Sequence, residues 1–526
     1  MAVLSKNQSL APFLGSKLTF ITGQDPMGML NIGEQVFTMV LPGLNVVTNR
    51  IRYYSFYCWF FGWYAKDIRD ENPKEHHKYI RRAEYLLALI AAHNQWSGYA
   101  GITEATKNYE NGTTYSLSKG TGEGKEVFDN TYWKHPRGVF GQNYVSSLKV
   151  LGLIRDKGDD KESYLFIRTN FSKENVVTGK NLEDAFIENM TPEMLTVFTT
   201  ALKKDTVTKA ELELLSTRFD MKEVPTDSME NHLLLQMLTG LDHPLSPTET
   251  FYRKVTTQLY LQLVQQNKKA VTVQDFVGFA YKAQGMWGKD ENETLTAWYY
   301  YQLTQYWHIV STGCLMQVLH ALHKKSDCSW YLEKELLHEL TEEVLLVFQE
   351  KYQVSGTTLF CELPIPTEDN FEQSKDIKTA DYVSGLCSAF LLLNKLVQEN
   401  HAQIERLALY SKQHQLYSNS DFVAVYTSLT TLSQLPMEEF IPVFLKKQVI
   451  DRHQLVAFNK VTASQTSEKF IREDGLIRFI EFIGLDFSNP RLETLIDFYK
   501  ELGILTPDGN KLTTSGNKLL KSLESA

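Results

Sequence analysis

Six residues, Gly120-Thr121-Gly122-Glu123-Gly124-Lys125, have the composition of a phosphate loop, in which backbone N–H groups cradle an anion and a lysine reaches it. Their spacing is wrong for that chemistry. The first glycine of G-x-x-x-x-G-K falls on Lys119, Glu126 stands where Ser or Thr is needed, and no apolar strand precedes, so a flexible loop is expected. His320 and His323 share a helix face and His76 adjoins His77, but no carboxylate completes a ligand set and H-E-x-x-H is absent. These histidines are read as core or groove residues. Cys58, Cys314, Cys328, Cys361 and Cys387 lie far apart without a C-x-x-C pair, which fits reduced thiols in a cytosol. Neither a G-x-S-x-G elbow nor a defensible nuclease pattern occurs. The sequence favours a non-enzymatic role with no metal and no cofactor. Catalytic groups can converge from distant segments, so a nuclease or nucleotide-acting enzyme stays as an alternative, marked by Asp25 and Glu34 meeting a lysine in one cleft.

Residue types that suit nucleic acid gather in two places. Gln142, Asn143, Tyr144, Ser146, Ser147 and Lys149 fall at the start and along one amphipathic stretch, and Lys157 and Lys161 follow it. Such side chains hydrogen-bond base edges and phosphates. Residues 134–168 hold seven Lys or Arg against four Asp or Glu, a net of +3 in a chain of formal charge −9, so any DNA contact must be local. The second place is Arg50-Ile51-Arg52-Tyr53-Tyr54, within a span (46–82) of eight basic and four acidic residues. Arg50 and Arg52 among aromatics can stack on bases or pair with phosphates. The preferred reading is a buried helix whose arginines tie down neighbouring loops.

Elements must hold these residues in place. From Tyr144 an amphipathic helix runs to Gly152, a strand opens at Leu153-Ile154, Gly158-Asp159 turns it, and Ser163 to Ile167 returns. The order recurs near the end, where Leu492 to Leu505 closes on Leu-Gly-Ile-Leu, Asp508-Gly509 turns, and Leu512 to Gly516 leads to a final helix. Both stretches resemble the winged-helix fold of bacterial regulators, whose recognition helix ends in a Leu-Gly-Leu-Ile type sequence before a hairpin. The resemblance implies that Gln142, Asn143, Tyr144, Ser146, Ser147 and Lys149 present the exposed start of a recognition helix, with Lys157 and Lys161 on the wing. Residues 488–526 balance five basic against five acidic residues, which makes the first module the better DNA candidate. Winged helices also dock proteins, and that alternative stands for both modules.

At 526 residues the chain exceeds the roughly 250–300 at which one core stops growing. With 43% hydrophobic and 22% charged residues, a mainly α, multi-domain helical protein is expected. Three regions are drawn: 1–172, N-terminal and helical with the first winged-helix-like module; 173–447, a helical scaffold; and 448–526, a C-terminal helix, hairpin and second module. Helices are expected at 76–93, 195–202, 210–219, 250–266, 296–323, 332–352, 381–410 and 422–435, a hairpin at Asp474-Gly475, and a long mobile loop from Gly101 to Asn130. Ile51 to Tyr64 is too short for a membrane span, and 296–322 carries Gln302, Thr304, Gln305, His308, Gln317 and His320, so a buried helix is expected there. The opening Met1 to Lys6 lacks a secretory pattern, and a cytoplasmic protein is expected.

Gly23-Gln24-Asp25-Pro26-Met27-Gly28, Leu41-Pro42-Gly43-Leu44, Thr48 to Tyr54, and Arg452-His453 to Lys460 followed by Asp474-Gly475 form one further pattern. On these residues the chain resembles a group of uncharacterised bacterial proteins associated with mobile-element and anti-phage defence gene clusters. The resemblance implies a subunit of a multi-gene system, with protein partners from the same cluster, and carries no catalytic residues. The expected function is a non-enzymatic subunit that binds DNA or a DNA-bound partner through the first winged helix and docks partners on its helical scaffold. A purely protein-binding scaffold is the alternative.

Overall fold

A computed structural model describes residues 19–21, 25–48, 50–109, 112–123, 132–158, 165–171, 177–241, 249–283, 292–416, 418–462 and 465–525. Helices take 64% of the described residues against 6% for strands, so the protein is mainly α. The chain forms two compact units, each gathered from separate stretches. The first comprises 1–36, 277–286 and 295–488, and the second 37–276, 287–294 and 489–526. Neither unit ends at the breaks near 172 and 447.

The first unit is built on helix Asn292–Ser326 from Leu295 onward. Trp298, Tyr299, Tyr300, Tyr301 and Trp307 are all buried, as befits a helix apolar on every side. Its polar groups find partners inside the protein. Trp307 Nε1 donates to the Ser420 carbonyl at 2.8 Å, Gln305 Oε1 accepts from Ser488 N at 2.8 Å, and Gln317 Nε2 donates to the Ile377 carbonyl at 2.7 Å. Among the described residues no helix is long and apolar enough to cross a membrane. The helix expected over 381–410 is interrupted. Tyr382–Asn400 ends, a 3-10 turn covers His401–Gln403, and Ile404–Gln413 resumes. The Asn400 amide is turned inward there, donating to the Leu396 carbonyl and accepting from the Tyr299 hydroxyl at 2.6 Å. Strands Phe470–Glu473 and Leu476–Phe479 pair antiparallel across Asp474 and Gly475, both at positive φ, as a tight two-residue turn needs. Tyr331–Leu332 adds a third strand.

In the second unit every residue of helix Arg52–Trp63 is buried. Phe56 and Trp59 pack on Phe186 and Phe198 with ring centroids 5.5 to 6.1 Å apart. Helix Pro73–His93 starts under an Asn72 cap whose side chain accepts from Lys74 N at 3.0 Å. The loop expected from 101 to 130 is largely regular structure where it is described. Helix Ile102–Tyr109, strand Thr114–Ser116 paired with Thr206–Thr208, and the short helix Leu117–Gly120 occupy it. Its glycines and small polar residues serve close packing: a Cβ on Gly120 would sit 2.0 Å from a Tyr85 ring carbon. Lys125 and Glu126 lie outside the described residues.

Candidate nucleic-acid interface

The 134–168 stretch is anchored from below by Glu84, on helix Pro73–His93. Its carboxylate accepts from Tyr57 Oη (3.0 Å), Trp133 Nε1 (3.0 Å), Val139 N (2.8 Å) and Phe140 N (2.7 Å). Two of those donors are the first free N–H groups of the helical stretch that follows, so Glu84 caps it. Burial outweighs all four donors and pushes the Glu84 carboxyl up to about 7. Gly138, at φ +60°, is required because a Cβ there would lie 2.2 Å from Glu84 Oε2.

From this cap the chain makes a π turn over Phe140–Tyr144 and runs on as helix Val145–Val150. Gly152 reverses it at φ +68°, and strands Ile154–Asp156 and Phe166–Arg168 pair antiparallel. Thr169 Oγ1 donates to the Gly152 carbonyl at 2.7 Å and locks the return strand to the turn. Phe61, Phe140 and Phe166 pack beneath, with centroids 4.9 to 6.2 Å apart. Helix, glycine turn and an antiparallel strand pair thus occur in the order expected from the sequence, and residues 159–164, which hold most of the expected turn and the start of the return strand, lie outside the described residues.

The recognition residues divide by helix face. Gln142, Ser146 and Lys149 are exposed and Asn143 is half-buried. Tyr144 and Ser147 are buried, which corrects the expectation that both face outward. Tyr144 lies on the same stripe as Leu148 and Leu151 and packs on Tyr53, Tyr54 and Tyr57 at 5.2 to 5.8 Å. Lys149 pairs with Asp156 at 2.6 Å, Lys157 pairs with Glu71, and Lys161 lies outside the described residues. Both pairs are exposed, and pairs of that kind are worth only about 0–1 kcal/mol, so these lysines can exchange partners at little cost. Lys134 and Arg155, missed from the sequence, are also exposed. Arg155 was legible from strand alternation, since its neighbour Ile154 is buried. Residues 132–158 hold five Lys or Arg against one Asp.

Arg52 belongs to the interior and Arg50 is half-buried. Arg52 is 2% exposed; its Nη1 donates to the Arg218 and Asp220 carbonyls at 2.8 and 2.7 Å and its Nε to Glu230 at 3.3 Å. It ties down the loop around residue 219 and presents no face on which a base could stack. Arg50 pairs with Glu501 at 2.6 Å, and Glu501 also accepts from Ile51 N. Near the end of the chain, helix Leu492–Glu501, Gly503 at φ +68°, an antiparallel bridge between Leu505 and Leu512, and helix Thr514–Ser525 repeat the helix–turn–return order.

In the first unit two segments of that wider pattern, Asp25 to Gly28 and Arg452 to Lys460, meet around a turn. Four successive carbonyls each accept a side-chain hydrogen bond: Asp25 from Lys460 Nζ (2.7 Å), Pro26 from His453 Nδ1 (2.9 Å), Met27 from Arg452 Nε (3.1 Å) and Gly28 from Ser420 Oγ (2.7 Å). His453 Nε2 accepts from Lys469 N, so the ring is a neutral bridge, and burial pushes its pKa down to about 4. The Asp25 carboxylate caps helix Leu30–Val40 through Met29 N and Leu30 N, while Glu34 is exposed. Gly23 and Gln24 lie outside the described residues. Among the described residues no group of three His, Cys, Asp or Glu is placed to hold a metal. No family model, curated protein or solved structure matches the chain.

Proposed function

We propose that this chain is a non-enzymatic subunit of a bacterial anti-phage defence system, acting in the cytoplasm, that contacts DNA or a DNA-bound partner through the 134–168 module. The observation that carries this reading is the exposed set Lys134, Lys149, Arg155 and Lys157 on a helix–turn–hairpin element, in a chain that is acidic elsewhere. Gln142 and Ser146 add base-reading types on the same helical stretch. The local order of elements supports a winged-helix reading. Assignment to a defence system rests on the motif around Asp25 to Gly28 and Arg452 to Lys460, and the helical first unit is assigned the docking of partners from the same gene cluster.

Duplex binding measured by fluorescence anisotropy at several salt concentrations tests the proposal. Replacing Lys149, Arg155 and Lys157 by alanine should weaken binding at least tenfold and reduce the slope of log K against log salt by about 2 to 3. Equal, salt-insensitive signals from both proteins would remove DNA from the reading. A second reading, a protein-docking module, is favoured by two exposed apolar side chains, Val150 on the helix (60% exposed) and Phe171 just after the return strand (76% exposed). A stoichiometric partner lost on Phe171→Ser, without DNA affinity, is its expected signature.

A further inference from the structure

The second unit contains a cleft of about 520 Å³ lined by Thr217, Arg218, Asp220 and residues 223–226 on one side and 500–503 on the other, with Arg52 among its lining side chains. Small-ligand sites run from roughly 300 to 1,000 Å³. Arg52 is almost wholly buried, and its guanidinium is used at only two of its three nitrogens. Nη1 and Nε hold the two loop carbonyls and Glu230, whereas Nη2 has no hydrogen-bond partner. A buried guanidinium N–H without an acceptor is costly, and such groups call for an explanation in terms of a ligand or a functional role.

Charge around the cleft points the same way. Arg218 is exposed and forms no ion pair among the described residues, so a second guanidinium is free at the rim. Two of the lining carboxylates are already engaged: Asp220 accepts from the Tyr99 hydroxyl and Lys222 N, and Glu501 from Arg50 and Ile51 N. Glu223 is the exposed exception. Lys500 lines the cleft from the other side, shared with Asp497 at 2.8 Å. Free N–H donors on two planar guanidiniums match an anion with several acceptor oxygens, and arginine recognises phosphate through such forked geometry.

We propose that this cleft binds a phosphorylated small molecule of nucleotide size, its phosphate monoester held by Arg52 Nη2 and Arg218. The site is independent of the 134–168 module and does not rest on the DNA reading.

The experiment is calorimetric titration of the full-length chain with a nucleoside monophosphate and with inorganic phosphate, ionic strength fixed by sodium chloride. Saturable binding is expected, tighter for the nucleotide. Arg218→Ala should weaken it at least tenfold, and Thr226→Trp, at an exposed lining position, should block the nucleotide more than inorganic phosphate; circular dichroism of both variants reports their folding. The Lys149, Arg155 and Lys157 triple variant should bind the nucleotide as the parent does. A 5′-phosphorylated oligonucleotide that outcompetes the nucleotide, where its unphosphorylated twin does not, would assign the phosphate to a nucleic-acid end. Absence of saturable binding to every phosphate probe, or full affinity in folded Arg218→Ala and Thr226→Trp, would overturn the proposal.

Discussion

Glu84 and His453 are both buried, both titrate away from their ordinary values, and pull stability in opposite directions as pH changes. The folded pKa of Glu84, about 7, lies above its usual 4.5, so its contribution is complete below pH 4.5 and is lost as pH rises through 7. Glu501 behaves the same way in the same window. His453 is depressed from 6.5 to about 4, so its contribution is present above pH 6.5 and disappears as pH falls through 4. The two effects overlap, and each is best read in its own variant. Urea unfolding between pH 4 and 7 should show Glu84→Gln gaining stability with pH relative to the parent, by roughly 3 kcal/mol across the window, and His453→Gln losing it. Parallel pH profiles in parent and variants would mean that these groups are not perturbed by folding. Arg52 was open to two readings at this scale, stacking on bases or the preferred one of tying down loops, and the Arg218 and Asp220 carbonyls decide for the loop.

Helix Asn292–Ser326 shows how far elements can be read from sequence. Its apolar residues fall on every face and its amides and hydroxyls are too many for lipid, which marks a helix buried in protein. Trp307→Ala should cost about 3–5 kcal/mol by cavity formation, and more if the Ser420 carbonyl is left unpaired, measurable as a drop in thermal unfolding temperature. The hairpin at Asp474-Gly475 and the helix–glycine–strand order after Tyr144 were legible for similarly local reasons: turn residues with positive φ and a period that switches from helical to alternating. What stayed hidden is non-local. The donors to Glu84 come from residues 57, 133, 139 and 140, and no spacing rule joins them. Segment 101–123 reads as loop by composition, but its glycines mark close approach to Tyr85 and Trp133. The inward turn of Tyr144 and Ser147 depended on which stripe of a short helix meets the core, and that is fixed by Tyr53, Tyr54 and Tyr57 from another helix.

For the whole molecule, chain order and packing order differ. Residues 489–526 complete the second unit, where Leu495, Phe498, Tyr499 and Leu502 are buried and the Tyr499 hydroxyl bonds Thr257 at 2.6 Å. A chain ending at residue 488 should therefore lose the second unit's cooperative unfolding and most of its soluble yield, while the fluorescence of Trp307, buried in the first unit, should be less affected. A truncated chain as soluble and cooperative as the parent would contradict the division into these units. Composition breaks near 172 and 447 indicated a chain of several parts, but periodicity along the chain carries no record of which distant stretches share a core.

The discontinuous second unit also has a consequence during synthesis. Its main stretch leaves the ribosome when residue 276 does, but the helix carrying Phe498 and Tyr499 follows about 210 residues later. At roughly 5–20 residues per second, that is ~10–40 s during which an aromatic core waits for its last wall. Nascent chains of this protein should be clients of a holding chaperone through that interval, released only as the final helices emerge.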